Sequence, residues 1–134
     1  MATLRIDPSS AIPIFRQIVD GIRVSIASGI YQPGDLIPSV RQLSVQILVN
    51  PNTVQRAYEE LERQGLIESR KGVGMEVTAK SQSIARDGAI AAVQSTLEAG
   101  VEMARSAKMS RAEVDAQYEQ AWKSKQRNRG GANG

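Results

Sequence analysis

In the stretch "SSAIPIFRQIVDGIRVSIASG", apolar residues fall at Ile14, Phe15, Ile18, Ile22 and Ile26, mostly three or four positions apart, with polar positions between them. That period predicts an amphipathic helix with one buried face. Ser10 or a neighbour is placed to cap its start, Pro13 is tolerated in the first turn, and Gly29 closes its end. After the turn pair Pro33-Gly34, Pro38 ends regular structure just before "SVRQLSVQIL". There Ser39 and Gln42 have the spacing of a capping box. Val40, Leu43 and Ile47 give a short helix, Ser39–Leu48, its apolar face.

Only a few residues separate that helix from the next. In "LVNPNTVQRAYEELERQGLI", Asn50 is placed to cap, and Pro51 fits the first helical position, where an amide would be unpaired anyway. Val54, Ala57, Tyr58 and Leu61 form the core face of a helix Pro51–Gln64. Gly65 terminates it, and Leu66 is placed for the apolar contact that accompanies such a stop. Two helices so closely joined are a helix-turn-helix. In the following "LIESRKGVGMEVT", Leu66-Ile67 and Met75-Val77 flank a turn that Gly72 and Gly74 permit, which predicts a β-hairpin. A basic hairpin directly after that helix pair is the wing of a winged-helix domain. The expected class is α+β: residues 1–80 form a winged helix-turn-helix domain of three helices plus a β-hairpin wing.

From Ser81 the pattern changes. Ile84, Ile90, Val93, Leu97, Val101 and Ala104 recur at helical spacing, with Gly88 and Gly100 as weak points. A second capping box, Ser110 and Glu113, opens a helix carrying Val114, Tyr118, Ala121 and Trp122 on one face. Two helices of this length cannot enclose a core alone, so their stripes must bury against the first domain or another copy of the chain. Residues 81–126 are expected to be a small dimerisation or effector region, with Ile90, Leu97, Val101, Val114, Tyr118 and Trp122 as its contact residues. The basic, glycine-rich residues 127–134 read as a disordered tail, either solvated or touching phosphates without specificity.

Composition narrows the chemistry. The 134 residues include no Cys and no His, which excludes disulfides, thiolate or imidazole metal sites and catalysis that needs either residue. No carboxylate pair, acidic cage or phosphate loop is evident, so neither an enzyme, a metal nor a cofactor is expected. Without an apolar run of about 20 residues or a signal-like start, neither a membrane span nor export is expected, and the reading is cytoplasmic. The net charge is only +3, and residues 1–80 carry nine Lys/Arg against eight Asp/Glu. A nucleic-acid partner must therefore be argued from where charges sit.

Those positions point to DNA. A helix entering the major groove meets base edges with its N-terminal residues, here Asn50, Asn52, Thr53, Gln55 and Arg56. Asn and Gln suit adenine, Arg suits guanine, and Thr suits phosphate or a thymine methyl. The acids Glu59, Glu60 and Glu62 come later, where such a helix has left the groove. Arg41 in the first turn of the preceding helix opposes the helix dipole, unless an anion lies against that end or an acid pairs with it. Arg70, Lys71 and Gly72 form the basic wing tip, which taken alone could equally be a solvated turn.

The segments "IPIFRQIVDGI", "SGIYQPGDLIPSVRQLS", "NPNTVQRAYEELERQGLI" and "RKGVG", in that order over residues 12–77, resemble the DNA-binding domain of the GntR family of bacterial transcription regulators. "NPNTVQRAY" and the short two-helix C-terminus are similar to its YtrA-like subfamily. The resemblance implies a small dimerisation region and, often, genes neighbouring ABC transporters. It also implies DNA contacts from Arg41, from Asn52, Thr53, Gln55 and Arg56, and from the wing at Lys71 and Gly72. Pro51 stands where other subfamilies frequently carry an arginine, which shifts base reading toward Arg41, Arg56 and the asparagines. The expectation is a homodimeric regulator, in most readings a repressor, on a two-fold symmetric double-stranded operator. Whether a small-molecule effector binds is left open. The rival reading is a winged-helix protein-interaction module that docks a partner on its C-terminal apolar helices.

Overall fold

The computed structural model describes the backbone of residues 4–131 and the side chains of residues 4–126. The chain divides into two compact units, Met1–Ala91 and Ala92–Gly134.

In the first unit, α1 (Ile14–Ala27) buries Ile18, Val19, Ile22 and Ile26. Its start differs from the expected serine cap. Pro13 is the N-cap residue and makes no side-chain cap bond. Ser10 lies too far ahead and instead accepts from the Ile12 amide at 3.1 Å. The entry is fixed by Gln17. Its Oε1 accepts from the Asp7 amide at 2.8 Å, and its Nε2 donates to the Asp7 and Ile12 carbonyls at 2.9 Å each.

Helix α2 (Val40–Ile47) follows the two-residue strand β1 (Leu36–Ile37). Both halves of its capping box form: the Gln42 amide donates to Ser39 Oγ at 3.1 Å, and the Ser39 amide donates to Gln42 Oε1 at 2.9 Å. The turn into α3 (Pro51–Arg63) is made by Leu48 at φ 54°, an exposed side chain in the left-handed region. A β-carbon in that conformation costs about 1–2 kcal/mol, offset in part for glycine by its larger unfolded-state entropy. Leu48 is 90% exposed, so little burial is lost on truncating it. Leu48→Gly is expected to stabilise the fold by about 0.5–1 kcal/mol, read from urea midpoints at constant m-value.

Helix α3 buries Val54, Ala57, Tyr58 and Leu61 against α1 and α2. It stops in a paired-amide terminator. With Gly65 at φ 82°, the Gly65 amide reaches the Glu62 carbonyl and the Leu66 amide the Leu61 carbonyl, both at 3.0 Å. The buried Tyr58 hydroxyl donates to the Pro38 carbonyl at 2.6 Å, which ties α3 to the segment that enters α2.

The wing is the antiparallel pair β2 (Ile67–Arg70) and β3 (Gly74–Val77), with Arg70 opposite Gly74. The sheet contains a strand that the sequence did not indicate, because β1 is too short to show a period. It pairs with the outer edge of β3 in the order β1-β3-β2, and the Gly34 amide bonds the Val77 carbonyl at 2.9 Å.

The helix α4 (Ser81–Ser106) runs through Gly88 and Gly100 without a break. Its first turns belong to the first unit, where Ser81 and Ala85 are fully buried and Ile84 packs on the core. The first compact unit thus takes in the start of α4, where Ile84 lies close to Gly65. Ser81 Oγ is buried with no hydrogen-bond partner among the described residues.

In the second unit α4 ends with Lys108 at φ 58°, the Met109 amide reaching the Ala104 carbonyl at 2.9 Å. Helix α5 (Arg111–Gly131) opens with the second capping box: Ser110 and Glu113 exchange amide-to-side-chain bonds at 3.1 Å each. Helical backbone continues through positions 127–131, into the segment read from composition as a tail. Residues 132–134 lie outside the described residues. No helix among the described residues is long and apolar enough to cross a membrane.

Candidate nucleic-acid interface

The N-terminal turns of α2 and α3 and the wing tip carry the residues singled out for DNA. Arg41 is exposed in the first turn of α2, which contains no acidic residue. No carboxylate among the described residues comes within 4.0 Å of it. The bland alternative for Arg41, a surface ion pair, is therefore not formed.

At the start of α3, Asn50 has a structural duty: its Oδ1 accepts from the Asn52 amide at 2.8 Å, leaving its side-chain NH2 as the free donor. Asn52 and Gln55 are exposed and Thr53 is half-buried. Gln55 Nε2 donates to Glu59 Oε1 at 3.2 Å, one turn along the same face. Glu60 is occupied as well, by Arg63 and by Gln64 Nε2 at 3.0 Å. Hydrogen bonding from Arg63, then from Gln64, holds the Glu60 carboxyl down at about 2. Glu59 and Glu60 are thus engaged within their own helix, and the N-terminal turn of α3 presents amide and hydroxyl groups with no acidic residue among them.

On the wing, Arg70 Nε pairs with Glu76 at 2.7 Å and its NH2 lies 3.9 Å from Glu68. Its charge braces the two strands. Lys71 beside it is exposed and unpaired among the described residues, and Gly72 at φ 78° forms the tip. The projecting cation of the wing is Lys71.

Arg56 is positioned by a neighbour that the sequence reading assigned only to the core. Its guanidinium carbon lies 3.8 Å from the centroid of the Phe15 ring on α1, and Arg16 lies 5.1 Å from the same centroid. Helical period alone places Phe15 on a buried stripe and carries no sign of this stacking.

The apolar residues of α4 and α5 are largely uncovered. Leu97 is 47% and Trp122 57% exposed. Ile90, Val101 and Tyr118 are exposed to similar degrees, and Val114 is half-buried. The Tyr118 and Trp122 rings meet at 6.1 Å between centroids, tilted by 31°. No group of three or more His, Cys, Asp or Glu that could hold a metal occurs among the described residues.

Residues 15–77 match the model of the bacterial regulatory proteins of the gntR family. The HTH-type transcriptional repressor YtrA of Bacillus subtilis (strain 168) is 39% identical over 95 residues, covering 71% of this chain and 73% of the relative. A GntR family transcriptional regulator from Listeria monocytogenes superposes with a TM-score of 0.72 at 29% identity, over 86% of this chain and 98% of that one. The AraR DNA-binding domain, solved in complex with operator ORX1, matches with a TM-score of 0.50 at 28% identity, over 55% of this chain and 98% of that one. These relatives are regulators and not enzymes. With the winged helix, the uncapped charge of Arg41 and the acid-free start of α3 already in place, the chain belongs to the GntR family of DNA-binding transcriptional regulators, on its YtrA-like branch.

Proposed function

We propose that the chain acts as a homodimeric repressor that reads a two-fold symmetric operator with the N-terminal end of α3. Arg41 approaches the duplex from α2 and Lys71 from the wing. The observation that carries this reading is the turn of α3 itself. Asn52, Thr53 and Gln55 lie in it and Arg41 on α2 has no ion-pair partner among the described residues, while Glu59 and Glu60 are tied to Gln55, Arg63 and Gln64. Side-chain amides and guanidinium groups are the donors and acceptors that match base edges and phosphates. Dimerisation is supported by the uncovered stripes of α4 and α5, because large apolar side chains so exposed mark an interaction surface. A two-fold dimer in turn suits paired half-sites about one helical turn apart. An ABC-transporter operon is the target class taken over from the YtrA-like resemblance, and a cytoplasmic location follows from an operator as partner.

Arg41→Ala tests the assignment. Binding to a DNA duplex is measured across a salt titration, with far-UV circular dichroism as the check on folding. The expected result is weaker binding, a log–log salt slope reduced by about 1, and unchanged helix content. An unchanged affinity and slope would remove Arg41 from the interface.

A further inference from the structure

We propose that Phe15, Arg16 and Arg56 form a phosphate clamp, in which the aromatic ring of α1 holds the guanidinium of α3 against the DNA backbone beside the recognition turn. This inference rests on the DNA-binding reading above and changes the role of Arg56, from a reader of base edges to a contact with the phosphodiester.

Two cations share one ring. Arg56 lies 3.8 Å and Arg16 5.1 Å from the Phe15 centroid. At 3.8 Å the guanidinium is in contact with the ring, whose π-system attracts the charge but accepts none of its in-plane N–H donors. Neither arginine has a carboxylate within 4.0 Å or a side-chain hydrogen bond among the described residues. The nearby acids are committed elsewhere. Glu59 accepts from Gln55, and Glu60 is held by Arg63 and Gln64, although it still feels the charge of Arg16. Arg16 also sits in the first turn of α1, where the helix dipole opposes a cation and no acidic residue compensates.

Two like charges gathered on one ring, with their donors free, are balanced by an external anion. A phosphodiester supplies that charge with oxygens suited to a guanidinium fork. A backbone phosphate fits better than a base. The ring holds Arg56 toward the α1 side of α3, and a fixed planar fork suits a repeating phosphate at the rim of the groove. Phe15 is then a positioning residue, and Arg16 and Arg56 are the contacts.

The test uses the full chain and two probes: a mixed-sequence DNA duplex and a duplex enriched from a random pool. Arg16→Ala and Arg56→Ala are each expected to lower the salt slope by about 1 and to weaken both probes to the same degree. Phe15→Leu is expected to weaken binding about 2- to 5-fold, Phe15→Tyr to restore it, and Phe15→Leu to have no further effect when Arg56 is already alanine. That last comparison separates positioning from any loss of core packing. The clamp is overturned if Arg16→Ala changes nothing. It is equally overturned if Arg56→Ala alters the preference at one base pair of the enriched duplex while leaving the slope intact. If the unaltered chain itself shows no salt-dependent binding to either probe, the DNA-binding reading fails first and the clamp with it.

Discussion

Tyr58→Ala is expected to cost about 3–5 kcal/mol of folding stability, the range for deleting a large buried aromatic side chain. Tyr58 is fully enclosed on the core face of α3, and its hydroxyl donates to the Pro38 carbonyl. The substitution opens a cavity under the core face of α3 and leaves the Pro38 carbonyl without its partner. A domain of this size has about 5–15 kcal/mol in total, so the variant stands near the edge of folding. Urea denaturation measures it, and Tyr58→Phe separates the two contributions, since it keeps the packing and loses only the bond, for about 1–2 kcal/mol. Burial pushes the Tyr58 hydroxyl well above the ordinary tyrosine value, with Tyr31 adding to the shift. It therefore stays protonated, and the bond to Pro38 persists through the neutral range. A loss below about 1 kcal/mol for alanine would mean that the helix-turn-helix is not braced through this residue.

The second large effect comes from shortening the chain at two places. Cutting after Ala91 keeps the part of α4 that completes the first unit and removes most of the exposed stripes. The expected product is a folded monomer whose operator affinity falls about 10²–10⁴-fold, because a second, linked binding event is lost. Cutting after Lys80 also removes Ser81, Ile84 and Ala85 from the core, which is expected to destabilise the fold by about 2–4 kcal/mol. Sedimentation equilibrium reports the oligomer and thermal melts report the fold. A dimer that survives the cut after Ala91 would remove the α4 and α5 stripes from the interface.

Most of the first unit was legible in the sequence because its elements announce themselves locally. The box of Ser39 and Gln42, the cap at Asn50, Pro51 as the first residue of α3, and the Gly65 terminator are each set by neighbours within a few residues. What stayed hidden depends on partners far along the chain. Strand β1 exists because β3 offers an edge, and two residues between prolines show no period. The start of α4 belongs to the first unit because Ser81 and Ala85 meet a core built elsewhere, which no shift in composition at residue 81 reveals. At the candidate site, residue types do not reveal the hydrogen bonds and stacking contacts that engage each side chain. By residue type Arg70 is equivalent to Lys71, but its charge is taken up by Glu76 on the neighbouring strand. By residue type Arg56 is a base reader, but its guanidinium rests on the Phe15 ring. In both cases a contact with a second element decides what the charge can reach.

The most direct measurement is selection of bound duplexes from a random-sequence pool by the 134-residue chain. Enrichment of a two-fold symmetric site, with half-sites about one helical turn apart, is the expected result for a dimer that presents two α3 helices to one face of the DNA. Recovery of a single unpaired half-site would contradict the dimeric reading, and no enrichment at all would contradict sequence-specific binding itself.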